Sequence, residues 1–550
     1  MSFFTILDNL KKTRKIIIMT NAPTAHNEVL GHPKGLFYLF FAELWERFSF
    51  YGMRALLTLY LINELFADLA EGKEFAYGIY AAYGSLVYFT PAIGGMIADR
   101  LIGHKNSIML GGILMTLGHF TMAFEDKTIF FLSLGLLIIG NGFFKPNISS
   151  MVGGLYKQDD PKRDGGFTIF YMGINIGAFI APLICGWLGA KFGWHYGFGA
   201  AGIGMLAGVL VFWSGSKNNI YGPQGEQPEE FKEKKIFGLL NVKHIVYLLA
   251  LLSAPLFAFL VKQNSFIVFP ESPLESGLMT FLLFSLLIVV ALFLVYTCVT
   301  SDKVSRERLI VVTILTFFIT VFWSFFEQAG SSLTVFAQDH VNLIGLNAAQ
   351  TNSINPGYIM IFAIPFSMMW VWLDKKRLNP NTPMKFALGI GQLGLGFLIF
   401  ALSSNYMDSN GMVAMTFLML GYLFITTGEL FLSPVGLSKV TELSPAKLVA
   451  FMMGVWFLSS AFAHHISGII SKLTIGGGSH GETDNAVSDN WLTSAAKSIA
   501  GEPLPNATEG AAALFNYTTV FAQIAIISFI FAALAAILSP VIKKMMHGIK

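Results

Sequence analysis

The chain has 550 residues, 54% hydrophobic and only 13% charged, whereas soluble proteins carry about 25% charged residues. That excludes an ordinary water-soluble domain, and a net charge of +3 gives no basis for nucleic-acid binding. The two cysteines, Cys185 and Cys298, lie in apolar runs and read as small buried hydrophobes, which leaves no disulfide framework.

Apolar stretches of about 20 residues, the length that crosses a bilayer as a helix, recur almost end to end. The short alternating segments of a membrane β-barrel are not evident. Residues 1–34 form a cytoplasmic segment with no evident cleavable signal. Lys11, Lys12, Arg14 and Lys15 precede a short Ile-Ile-Ile-Met run expected to lie along the membrane surface. Six spans follow, near 35–63, 75–99, 105–124, 128–153, 166–190 and 195–214. A polar cytoplasmic linker, 215–241, leads to two inserted spans near 242–262 and 276–299. Six more lie near 308–337, 351–373, 383–403, 411–438, 447–473 and 513–541, before a short tail. The Gly/Ser-rich loop 474–512 is long for a connection and is expected to be mobile.

Lys and Arg concentrate in alternate loops, for example Arg100, Lys105, Lys162, Arg163, Lys232, Arg306, Lys376, Arg377 and Lys543. The positive-inside rule then puts both termini in the cytoplasm. The second span ends Ala98-Asp99-Arg100 and the tenth ends Asp374-Lys375-Lys376-Arg377, corresponding charged turns that suggest a duplicated bundle, as in secondary transporters.

Charges inside the spans carry the functional information, because each costs at least roughly 2.5–3.5 kcal/mol near the bilayer centre. On the first span, Glu43, Glu46, Arg47, Phe50 and Arg54 fall within about 100° of one helix face, with Tyr51 at its edge. The first helix is therefore expected to line a water-accessible site. Lys145 lies mid-span in the fourth helix and is expected to bridge Glu43 or Glu46; a buried lysine responds readily to a nearby protonation change. Glu327 lies mid-span in the ninth. If deprotonated Glu327 pairs with Arg54, its protonation frees the guanidinium, and a proton and a carboxylate ligand bind cooperatively. Glu429, mid-span in the twelfth, can receive an ammonium group. The alternative for each is a fixed structural pair; for Glu429, a partnership with Lys145. His464 and His465 have no further ligands in view for a metal and read as a buried, hydrogen-bonded pair. Gly52, Pro146, Pro356 and Pro434 are the expected bending points.

Several motifs in order resemble one family. Gly95-x-x-Ala98-Asp99-Arg100-x-x-Gly103 looks like the cytoplasmic loop motif of the major facilitator superfamily. Glu43-x-x-Glu46-Arg47-Phe48-x-Phe50-Tyr51-Gly52 resembles the first-helix signature of the proton-coupled oligopeptide transporter family. Gly142-x-Phe144-Lys145-Pro146-Asn147 and Phe170-Tyr171-x-x-Ile174-Asn175-x-Gly177 resemble its fourth- and fifth-helix signatures. Phe322-Trp323-x-x-Phe326-Glu327-Gln328 and Gly428-Glu429-x-x-x-Ser433-Pro434-x-Gly436 resemble its C-terminal motifs. The two inserted helices are similar to those of prokaryotic members.

The resemblance implies an all-α polytopic membrane protein of two six-helix bundles plus two additional helices. It also implies inward proton-coupled symport of di- and tripeptides by alternating access at a bacterial inner membrane, with protons as coupling ion and no other cofactor. Glu43, Glu46, Arg47, Lys145 and Glu327 would form the coupling set. Arg54 would receive the peptide carboxylate and Glu429 its ammonium, with Tyr51, Tyr83, Lys145, Asn175, Trp323, Asn355, Ser433 and Trp456 around the substrate. Asp99 and Arg100 would stabilise one gating state. Two departures stand out: Phe50 replaces a common Tyr, and Phe75 to Tyr80 lacks the histidine that some relatives use as a proton site. The remaining alternatives are symport of another small solute, such as nitrate or a peptide-like metabolite, and a substrate sensor that does not transport. No His-Glu-x-x-His or Gly-x-Ser-x-Gly motif points to an enzyme.

Overall fold

The computed structural model describes residues 28–157, 160–232, 234–236, 240–263, 267–269, 276–445, 447–476, 490–503 and 509–549. The expected surface segment at 1–20 and part of the loop expected to be mobile lie outside them. Each expected span coincides with a helix, apart from the ninth. The first half holds α1 (Lys34–Tyr60), α2 (Gly72–Ile97), α3 (Gly103–Met122), α4 (Lys127–Gly154), α5 (Arg163–Phe192) and α6 (Trp194–Lys217). The inserted pair is α7 (Val242–Lys262) and α8 (Leu278–Thr300). The second half holds α9 (Lys303–Phe326), α10 (Ser332–His340), α11 (Ile354–Lys375), α12 (Thr382–Leu402), α13 (Met415–Leu443), α14 (Val449–Leu473), α15 (Trp491–Ala500) and α16 (Glu509–Met545). The protein is an all-α polytopic membrane protein.

Local chemistry sets the helix starts. Asp126 caps α4 through the Ile129 amide at 2.8 Å, and Asp302 caps α9 through the amides of Val304 and Ser305 at 3.1 Å. Asn381 caps α12, which continues with Pro383 in its first turn. Small residues let the spans touch. A Cβ at Gly94 would lie 2.0 Å from the Gly142 carbonyl oxygen, and one at Gly389 2.8 Å from that of Gly428. Such close approach drives association in lipid, where apolar burial alone gives little between helices. The inserted helices lie against different halves. A Cβ at Gly135 of α4 would lie 2.3 Å from the Ala254 oxygen of α7, while Phe293 of α8 packs on Phe451 of α14 at 4.5 Å.

Three expectations need correction. The ninth span is not one helix: α9 stops at Phe326, residues Glu327–Gly330 form a 3-10 turn, and α10 begins at Ser332. Backbone can leave the helix at membrane depth only where protein re-satisfies it. Here Thr58 Oγ1 donates to the Gly330 oxygen at 2.7 Å, and Thr334 Oγ1 to the Ala329 oxygen at 2.6 Å. By contrast, the helices run unbroken through Gly52, Pro146 and Pro434, and Pro356 lies in the first turn of α11, where its missing N–H costs nothing. The serine, threonine and glycine side of the 327–334 turn, rather than a proline, makes the break. Thirdly, the loop expected to be mobile contains α15. Thr493, Ala496 and Ala500 form its buried face, Asn490 caps it, and Gln523 of α16 donates to Thr493 at 3.3 Å.

Polar contacts join the two halves at the end that carries the acidic loops. Lys73 pairs with Asp339 at 2.8 Å and Lys472 with Glu74 at 3.0 Å, and Asn63 donates to Gln338 at 2.8 Å. Asn347, Gln350 and Ser353 donate to carbonyl oxygens of α5 at Gly186, Leu183 and Phe179. At the basic end, no hydrogen bond or ion pair crosses between the halves among the described residues. The polar ties between the ends of the two halves therefore gather, among the described residues, at the acidic end.

Candidate functional site

The stripe on α1 holds two clusters two turns apart. In the first, Arg47 lies bidentate on Glu46, with Nη2 to Oε1 at 2.7 Å and Nε to Oε2, and it approaches Glu43 Oε1 at 3.3 Å. All three side chains are nearly inaccessible, so this part of the stripe is sealed between helices rather than lining open water. Glu43 Oε2 is buried without a hydrogen-bond partner.

Lys145 does not bridge Glu43 or Glu46 directly, contrary to expectation. Its Nζ lies over the Tyr88 ring, 4.2 Å from the centroid, while remaining in the electrostatic field of Glu46, Glu43, Glu327 and Arg47. For Glu46 the reason is local: Arg47 already occupies both its oxygens, and the face of a phenol ring offers the ammonium a cation–π contact instead. Nothing in the structure explains why Glu43 Oε2 is left unbridged.

The second cluster joins the halves. Arg54 of α1 forms an ion pair, Nη2 to Oε2, with Glu327 at the break in the ninth span. Its Nε donates to the Tyr80 hydroxyl of α2 at 2.7 Å. Glu327 closes α9, its N–H still on the Trp323 oxygen, and its neighbour Gln328 is locked to α14: Nε2 donates to the Ser467 oxygen at 3.0 Å, and Ser471 donates to Oε1 at 2.9 Å. Removing one partner of a buried pair costs about 3–5 kcal/mol, because the other is left charged without compensation. Such a pair can be broken cheaply only by replacing a partner or by protonating the carboxylate.

Glu429 lies on α13, buried, and Asn355 of α11 donates to its Oε2 at 3.0 Å. Asn355 Nδ2 also donates to Thr426 Oγ1 at 3.0 Å, so both amide hydrogens are spent on α13. Asn355 thus holds Glu429 and keeps only its carbonyl oxygen for a ligand. Asn175 donates within its own helix, to the Tyr171 oxygen at 3.0 Å. Tyr51 stands between the poles, within the fields of Arg47, Arg54, Glu429 and Glu327. Tyr83 is buried.

A cavity of about 210 Å³ opens beside Glu327, lined by Tyr88, Trp323, Ser433, Trp456, Ser460 and His464 among others. It gathers four expected residues: Trp323, Glu327, Ser433 and Trp456. Two of its walls are not expected at the site from sequence: Tyr88, which the sequence does not single out, and His464, which reads there only as half of a buried pair. The two histidines are not a pair. His465 is hydrogen-bonded to Thr280 of α8 at 3.0 Å, whereas His464 turns inward, Nε2 3.6 Å from Glu327 Oε1. Adjacent helix positions point about 100° apart, so two neighbouring histidines were unlikely partners from the outset.

Asp99 and Arg100 lie in a π-helical turn, Ala98–Ile102, at the basic end. Asp99 Oδ1 faces His104 Nε2 at 3.4 Å, and His104 is bonded to Asn147 of α4 at 2.9 Å. The linker covers this turn: Lys105 donates to the Gly222 oxygen at 2.5 Å and Gln227 to the Leu101 oxygen at 3.0 Å. Gly103, at φ +77°, allows the Glu226 backbone to pass 2.4 Å from where a Cβ would be.

Comparison with known proteins agrees with this architecture. The model of the POT family matches residues 105–484. The chain is 36% identical over 525 residues to the uncharacterized transporter YclF of Bacillus subtilis (strain 168), covering 94% of this chain and 96% of that one. It is 35% identical over 472 residues to a di-/tripeptide transporter of Lactococcus lactis subsp. lactis (strain IL1403), covering 83% and 92%. A crystal structure of peptide transporter POT in complex with sulfate superposes with a TM-score of 0.75 at 33% identity, covering 95% of this chain and 97% of that one. With a family match across more than half its length, inside a fold shared almost end to end, this chain belongs to the POT family of transporters.

Proposed function

We propose that the protein is a proton-coupled symporter that carries di- and tripeptides into the cell by alternating access. The observation that carries this reading is the Arg54–Glu327 ion pair, which links the two halves inside the bundle and occupies the one guanidinium suited to a carboxylate. Protonation of Glu327 removes the competing anion. A peptide carboxylate then takes Arg54, and its ammonium meets Glu429, which Asn355 already orients. Two opposite charges held apart select a zwitterion of limited length. Glu43, Glu46, Arg47 and Lys145 act as the second coupling cluster, joined to the first through Tyr88.

The membrane is a bacterial plasma membrane, with the basic end and both termini in the cytoplasm by the positive-inside rule. The Lys73–Asp339 and Lys472–Glu74 pairs then tie the halves at the outer end, which supports reading this form as inward-facing. One proton entering across 100 mV supplies about 2.3 kcal/mol, enough for roughly 50-fold accumulation before any pH gradient is added.

The test is a competition panel in proteoliposomes under an imposed inward proton gradient, comparing di-, tri- and tetrapeptides with nitrate and free amino acids. Uptake of labelled dipeptide, blocked by di- and tripeptides alone, is the expected result. Selective block by nitrate would replace the substrate, and the absence of any driven uptake would favour a sensor.

A further inference from the structure

We propose that His464 is a proton-binding residue of the coupling step, taking the proton from the cavity and passing it to Glu327. This deepens the symport reading and rests on it. Four features of the geometry point there. His464 is 4% exposed, lines the cavity, and has both ring nitrogens without a hydrogen-bond partner. Its Nε2 stands 3.6 Å from Glu327 Oε1, the oxygen that Arg54 does not hold. Its ring stacks on Tyr88 at 5.0 Å between centroids. Finally, α2 makes room for it: a Cβ at position 84 would lie 2.4 Å from His464 Nδ1, so glycine is required there.

The groups facing the imidazole are few. From α1 comes Arg54, from the turn after α9 Glu327, from α4 Lys145 across the Tyr88 ring, and from α2 the phenols of Tyr80 and Tyr88. From its own helix, Ser460 shares the cavity, and Lys472 bears on His465 rather than on it. Glu327 is thus the one anion in contact, and it is already engaged by a guanidinium. Protonating it directly means competing with Arg54 for the carboxylate. A neutral imidazole beside it accepts a proton without displacing the guanidinium, at the cost of charging a buried ring near Arg54 and Lys145 that contact with Glu327 offsets.

Once protonated at Nε2, the ring becomes a second cation on the same carboxylate and weakens the hold of Arg54. Closing from 3.6 Å to hydrogen-bond distance then lets the N–H bond break as the Oε1–H bond forms. Imidazolium returns to imidazole, carboxylate becomes carboxylic acid, and the one positive charge left is the freed Arg54. The transfer needs no other reactant.

The experiment compares wild type, His464→Gln and Glu327→Gln in proteoliposomes with labelled dialanine. Exchange is measured without a gradient, accumulation under an imposed pH gradient, and affinity from pH 5 to 8. The amide of His464→Gln fills the site but does not titrate. Relative to its own exchange rate, it should accumulate dialanine about tenfold less than wild type or worse, the scale of a lost coupling energy, and lose most of the pH dependence of affinity. Accumulation and a pH profile matching wild type would overturn the role. Should His464→Gln fail to exchange, Glu327→Gln decides. With His464 intact, its dialanine affinity should still vary with pH over a range extended further to the acid side, and a flat profile there would reject His464. If wild type itself accumulates no dialanine, the symport reading falls first, and this inference falls with it.

Discussion

Arg54 has one fork and two claimants, the Glu327 carboxylate in this structure and a ligand carboxylate in the proposed cycle. Replacing Glu327 by Gln removes the charge that needs a proton to leave. Peptide exchange should survive while accumulation driven by a pH gradient drops by an order of magnitude or more; intact accumulation in proteoliposomes would remove Glu327 from the coupling. Glu429 supports a different prediction. Asn355 fixes it, so a ligand ammonium would meet a preset acceptor. A hydrogen bond to a charged group is worth about 1.5–3 kcal/mol, so Glu429→Ala should weaken dipeptide binding by about 10- to 100-fold with little change in melting temperature. Unchanged affinity, read by competition binding, would discard the ammonium assignment.

At the level of helices, the informative contacts are between small residues and polar side chains. Gly84 of α2 lies against His464 of α14, and a Cβ at Gly330 would lie 1.9 Å from the Tyr80 hydroxyl. Larger residues at either position have no space unless an interhelical contact gives way. Gly84→Leu should lower stability by about 1–3 kcal/mol through overpacking, visible as a lower thermal midpoint in detergent. It should also displace His464 and so impair driven uptake more than exchange. A wild-type midpoint would mean that α2 and α14 can part there at no cost. The break at Glu327–Gly330 belongs to the same scale. Its carbonyls are met by Thr58 and Thr334, so it is a stable feature of the bundle rather than a frayed helix end.

Across the whole molecule, the polar ties between the ends of the two halves lie, among the described residues, at the acidic end. Lys73, Asn63 and Lys472 each reach the other half through Asp339, Gln338 and Glu74. Lys73→Glu would set two carboxylates against each other and should shift the population toward the form open at that end. The measurement is labelling of cysteines placed on the cavity wall, with more labelling from the acidic side as the expected result. Surface pairs are worth about 0–1 kcal/mol, so the shift should be several-fold rather than complete. Labelling indistinguishable from wild type would mean that the Lys73–Asp339 pair contributes nothing to holding this end shut.

Much was legible in the chain before its structure. Hydropathy is a local property, so the inserted pair and the spans other than the broken ninth could be read to within a few residues. Charges in hydrocarbon are costly wherever they occur, so Glu43, Glu46, Arg47, Arg54, Lys145, Glu327 and Glu429 announced themselves. Which partner each takes depends on distances between residues hundreds of positions apart. Only the packed helices decided that Arg54 meets Glu327, that Asn355 holds Glu429, that Lys145 rests on Tyr88 rather than on a carboxylate, and that His464 parts from His465 to stand beside the coupling pair. Sequence supplied the charges. Their pairing, and the break that presents Glu327, followed from backbone and side-chain contacts that exist only once both halves have closed on each other.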